Sequence, residues 1–180
     1  MAEVILLKSF RAYKWRGEAL EKVKTAVNYF PELDEEVIYL GITKRKDCSA
    51  DVDVLNRIIR FQIETKPTFV TVFHELAHIV IYKLSESGKD VPRRSEEFCS
   101  IFAMARMPPE LIDEDAVPYV GKYKVPREYV PKICKKALEY RKTHRNYIQQ
   151  CKEWLGCSVR QWMTGRLDGI WVETAENKRG

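Results

Sequence analysis

"FVTVFHELAHIVIYKL", residues 69–84, decides how this chain is read. It is almost wholly apolar, yet His74, Glu75 and His78 sit in its middle. Burying two imidazoles and a carboxylate is costly unless something compensates them. Thr68, just before the stretch, is a candidate N-cap, and Gly88, just beyond it, is a candidate stop. The segment therefore predicts a buried helix from about 69 to 84. On a helix, His74 and His78 are i and i+4, one turn apart on one face. Two imidazoles so placed can share one zinc ion. Glu75, in the His-Glu-x-x-His pattern, then stands beside the metal as a general base. The metal is what would offset the cost of burying all three.

A catalytic zinc commonly takes three protein ligands and keeps one position open. A carboxylate on the next predicted helix, "EEFCSIFAMARM" (96–107), is the candidate third ligand. Ser95 can cap that helix, with Glu96 and Glu97 in its first turn. Phe98, Ile101, Phe102 and Ala105 form its apolar stripe. Glu96 points away from that stripe with Cys99, Ser100 and Ala103, whose small size permits close approach to the active helix. Glu97 lies at the border, so Glu96 is the preferred ligand. Cys99, among apolar neighbours, reads as a small core residue.

Upstream, "EVILLKSF" from residue 3 reads as a short strand, 18–30 as a helix stopped by Pro31, and 36–42 as a strand. Residues 43–53 read as a charged loop, and 55–65 as a further strand. In that strand Ile58, Arg60, Gln62 and Glu64 share one mainly polar face, which fits a sheet edge or a face turned to solvent. An extended peptide substrate could add to such an edge at "RIIRFQIE"; a core strand paired on both sides is the equal alternative. Downstream, 113–131 reads as irregular, and 132–156 as one long basic helix. The expected fold is α+β. A small, mostly antiparallel sheet packs on the zinc-binding helix (1–112), and 113–180 forms a basic helical extension.

Composition bounds the rest. The 180 residues, 45% hydrophobic and 32% charged, suit one globular domain. The net charge is +5, concentrated late in the chain: Lys122 to Arg166 hold 12 basic and 3 acidic residues. A solvated helix face is the simpler account of that block, and nucleic-acid binding the sharper one. Five cysteines (Cys48, Cys99, Cys134, Cys151, Cys157) without a Cys-x-x-Cys pair argue against a disulfide framework and suggest reduced thiols. No long apolar run suggests a membrane span, and a cytoplasmic location is the default.

"HELAH" followed by "EEFCSIFAMARMPPELI" resembles the ImmA/IrrE family of small zinc metallopeptidases. That family carries His-Glu-x-x-His, then Glu-x-x-Ala-Asn-x-Phe-Ala, then Met-Pro. The matching places are Glu96, Phe102-Ala103 and Met107-Pro108. "LGCSVRQWMTGRLDGI" (155–170) is a weaker echo of the family's closing turn and helix, with Ser158, Arg166 and Leu167 in the matching places. Ala77 stands for the usual Gly, and Cys99-Ser100 stand for Ala-Asn. Ser100, four after Glu96, can still hydrogen-bond a ligand histidine. The resemblance implies a zinc-dependent intracellular endopeptidase, with His74, His78 and Glu96 as ligands and Glu75 as base. It implies a specific protein target, such as a helix-turn-helix repressor. Tyr82, Tyr119, Tyr123 and His144 are candidate oxyanion donors. The competing expectation is a non-catalytic metal-site module that binds nucleic acid or a regulatory protein through the basic helix.

Overall fold

A computed structural model describes residues 2–93, 95–113, 127–151 and 153. The chain is α+β. Its strands are β1 (Glu3–Leu6), β2 (Val37–Thr43), β3 (Ala50–Asp53) and β4 (Ile58–Gln62). Its helices are α1 (Arg16–Val27), α2 (Phe69–Glu86), α3 (Glu96–Met104) and α4 (Val130–Arg141).

The sheet order is β1-β2-β4-β3. β1 and β2 are parallel, β2 and β4 are parallel, and only β3 runs antiparallel, to β4. The sheet is thus mixed, not mostly antiparallel as expected. The reason lies in the connections. β1 reaches β2 through α1, a crossover that parallel neighbours require, and α1 buries Ala19, Val23, Ala26 and Val27.

One further expectation is corrected: residues 43–53 are not all loop, because Ala50–Asp53 form β3. Of the two readings open for the strand at "RIIRFQIE", the core one holds: β4 is an inner strand paired on both sides, and β3 takes the edge. The polar face of β4 misled because its polar groups are satisfied within the sheet region. Arg60 pairs with Asp51 across β3. Gln62 Oε1 accepts from Glu64 N–H and from the Thr65 hydroxyl.

The basic segment also departs from expectation. It is one helix to Arg141, then turns, with helix resuming at 147. The Thr143 hydroxyl donates to the Tyr140 carbonyl where the first helix ends. Ile133, Cys134 and Ala137 of α4 are buried in the same apolar core as α3. Among the described residues no helix is long and apolar enough to cross a membrane.

The core fixes where α2 lies. Tyr13 stacks on Phe61 with ring centroids 5.7 Å apart, and its hydroxyl donates to the Thr65 carbonyl at 2.6 Å. Phe73 of α2 packs on Phe30, and Arg106 makes a bidentate pair with Glu32 while lying 4.0 Å over the Phe102 ring. α2 buries Val72, Phe73, Leu76, Ala77, Ile79, Val80 and Ile81, nearly all round.

Its ends are capped as the sequence suggests. The Thr68 hydroxyl accepts from Thr71 N–H at 3.1 Å. Gly88, at φ 83°, adopts the left-handed conformation that closes a helix without a Cβ clash. A second cap comes from far along the chain. Asp113 accepts from Phe69 N–H at 2.9 Å and Val70 N–H at 3.3 Å, and pairs with Lys22 at 2.8 Å. It places a negative charge at the positive end of the helix dipole.

Burial alone would raise the Asp113 carboxyl. The hydrogen bonds from Lys22, Phe69 and Val70 outweigh that and hold it below its ordinary value. A carboxyl lowered by folding stabilises the protein above its unfolded value, about 3.9. That contribution is lost as pH falls through the folded value. Asp113→Asn should therefore cost about 1 kcal/mol at neutral pH. Its urea midpoint should converge with wild type at about pH 2. Equal midpoints at neutral pH would show that the cap contributes nothing.

Candidate metal centre

The capped, buried α2 presents His74, Glu75 and His78 toward α3 and β3. His74 and His78, one turn apart, meet the first turn of α3, which starts where the Ser95 hydroxyl accepts from Phe98 N–H. His74 Nε2 lies 2.9 Å and His78 Nε2 3.3 Å from Glu96 Oε2, and the two Nε2 atoms are 3.0 Å apart. Three donor atoms thus converge on one point, and His74, His78 and Glu96 could hold a metal ion.

The donor set fits that use. Bonds of about 2.0 Å in tetrahedral geometry put neighbouring donors about 3.3 Å apart. The observed triangle is close to that, slightly tight on two edges. Glu97, the competing carboxylate, is exposed in the same turn and is not part of the cluster.

The other ring nitrogens are also engaged. His74 Nδ1 is 3.1 Å from the Ser100 hydroxyl, and His78 Nδ1 is 3.2 Å from Cys99 Sγ. The role anticipated for Ser100 has its geometric counterpart here. Cys99 is a core residue as expected, fully buried, but the sequence reading missed its contact with His78. The signal available was its spacing: 96, 99 and 100 are i, i+3 and i+4 on one helix face.

Electrostatics favour a cation here. Burial, with the neighbouring His78, holds His74 below the ordinary imidazole range despite Glu96, which keeps it neutral and able to ligate. Burial works against the Glu96 carboxylate, but His78 and His74 prevail and keep it low. Glu75 is 7% exposed; burial, then the charges of Glu96 and Asp51, push its carboxyl up to about 8. A cation held by the three ligands would draw it back toward ionisation. Burial, with Glu96 and Glu75, pushes the Cys99 thiol up to about 12, so it stays protonated.

In front of the cluster is an open pocket of about 430 Å³. Glu75, His78 and Glu96 line it from the helices, and Asp51 and Val52 from β3. Cys48, Arg45 and Arg93 complete much of the wall, and sequence reasoning picked out none of these three.

The oxyanion candidates fare differently. Tyr82 lies under the Arg93 guanidinium, 5.4 Å away, and exposed His144 contacts Thr143 and the Tyr140 ring. Neither lines the pocket. Tyr119, Tyr123, Cys157 and the 155–170 motif lie outside the described residues.

Purified protein loaded with metal and desalted should retain about one ion per chain. Glu96→Ala should lose it and Glu97→Ala should keep it, read by elemental analysis. Equal retention in both variants would exclude Glu96 as a ligand. No family model, no curated protein and no solved structure matches this chain, and the chemistry of the site is carried by its own donor atoms.

Proposed function

We propose that this chain is a zinc-dependent endopeptidase of the kind its resemblance to the ImmA/IrrE family implies, cleaving a specific protein such as a transcriptional regulator. The observation that carries this reading is the convergence of His74 Nε2, His78 Nε2 and Glu96 Oε2, with His78, Glu96 and the buried Glu75 lining one open pocket. Two imidazoles and one carboxylate with an open side make a donor set typical of catalytic zinc. Structural zinc is more often closed by four protein ligands. When bound, zinc would supply Lewis acidity toward a carbonyl and activation of water near neutral pH.

The chain's own residues carry the remaining steps. Glu75 takes a proton from the attacking water and delivers it to the leaving amine nitrogen. Its low exposure keeps bulk water from competing for that proton. His74, His78 and Glu96 would hold the metal, with Glu75 next to His74 on the same helix. β3 is the sheet's edge on the pocket side, so its outer main-chain groups can receive an extended peptide. The peptide-docking role considered for β4 passes to β3.

The alternative, a binding module using the basic segment, draws less support. Within the described part of that segment, Arg141 lies over the Phe98 ring and near Asp90, and Lys136 pairs with Glu139. Some of the positive charge therefore already has partners inside the chain.

Zinc-loaded wild type and Glu75→Gln should be compared on a proteome-derived peptide library, with cleavage mapped by mass spectrometry. The variant should keep its zinc and lose cleavage by about 10²-fold or more. Equal cleavage by both, or none by zinc-loaded wild type on peptides and intact proteins alike, would contradict the proposal.

A further inference from the structure

We infer that Cys99 is a positioning residue: its sulfur accepts the Nδ1–H of His78 and so fixes the tautomer that presents Nε2 to the metal centre. The assignment rests on the reading of that centre given above, because only a cation among the three donor atoms requires both Nε2 atoms to be unprotonated.

A neutral imidazole carries one N–H, and the partner of one ring nitrogen decides which it is. His78 Nε2 faces His74 Nε2 and Glu96 Oε2, at 3.0 and 3.3 Å. Its Nδ1 faces Cys99 Sγ at 3.2 Å. Were the proton on Nε2, it would occupy the direction a metal needs. With the proton on Nδ1, the sulfur receives it and Nε2 keeps its lone pair free.

Sulfur is a weak acceptor, but Cys99 is fully buried and water does not compete for the site. Ser100 does the same for His74 from the next position, at 3.1 Å. One helix face thus supplies a ligand, Glu96, and the partners of both other ligands. Both partners are uncharged, which suits a site where Glu96 and Asp51 already stand around the pocket beside the buried Glu75. A carboxylate in place of Cys99 would add a further charge to that group. An alanine would leave the buried Nδ1–H without an acceptor.

The test separates positioning from packing. The His78 Nδ1–H is read in zinc-loaded protein by ¹H–¹⁵N NMR, through its exchange with water, for wild type, Cys99→Ala and Cys99→Ser. Wild type should show a His78 Nδ1–H that exchanges slowly. Cys99→Ala should lose that protection, and Cys99→Ser, which keeps an acceptor, should restore it. Zinc affinity by chelator competition should fall about tenfold in Cys99→Ala and stay close to wild type in Cys99→Ser.

An equally protected Nδ1–H and an unchanged zinc affinity in Cys99→Ala, or a Cys99→Ser as altered as Cys99→Ala, would overturn the inference and leave the peptidase proposal standing. Failure of wild type to bind zinc would overturn both.

Discussion

An apolar helix that must bury two imidazoles and a carboxyl needs partners for every one of their polar atoms. That requirement organises this protein. α2 is apolar on nearly all sides, so it belongs in the middle of the molecule, against α1, α3 and the sheet. The polar atoms of His74, Glu75 and His78 then have one exit, between α3 and β3. α3 answers with Glu96 for the Nε2 atoms and with Ser100 and Cys99 for the Nδ1 atoms. Small side chains on that face let the two helices approach closely enough for hydrogen bonds, and the Phe98, Ile101 and Phe102 face is left for the rest of the core.

The surrounding fold serves to hold α2 in place. Thr68 caps it locally, and Asp113 caps it from beyond α3, so the N-terminus of α2 is tied to a distant part of the chain. Tyr13 fastens the N-terminal region to the loop before α2. Arg106 ties the end of α3 to the segment after α1 through Glu32. These contacts leave little freedom for His74 and His78 to shift relative to Glu96. A site for metal chemistry benefits from that rigidity, because ligands held in place need no reorganisation on binding.

Much of this arrangement is legible in the sequence where one local rule dominates. Thr68, Ser95 and Gly88 mark helix ends through cap chemistry, and the apolar period of 69–84 marks a buried helix. The spacing of His74, Glu75 and His78 marks the donor pair, and the stripe of α3 turns Glu96 toward them. What was not legible depends on contacts distant in sequence. "ADVD" is short and acidic, and becomes a strand because β4 lies beside it and Arg60 meets Asp51. β4 looks like an edge strand because polarity alone does not distinguish a solvated group from one satisfied by a neighbouring strand. The parallel pairing of β1 and β2 was implicit in the strand–helix–strand order of the first 43 residues, but the short strands concealed it. Asp113 and Cys99 gain their roles only when α2 and α3 are side by side.

The central claim is that His74, His78 and Glu96 bind one zinc ion together. X-ray absorption at the zinc edge on the loaded protein tests it most directly. The account predicts a first shell of nitrogen and oxygen at about 2.0 Å, with the outer-shell scattering of two imidazoles and no sulfur. A sulfur scatterer at about 2.3 Å would mean that a cysteine holds the metal. Oxygen alone, without imidazole scattering, would mean that the ion sits elsewhere. Either result would contradict the arrangement described here.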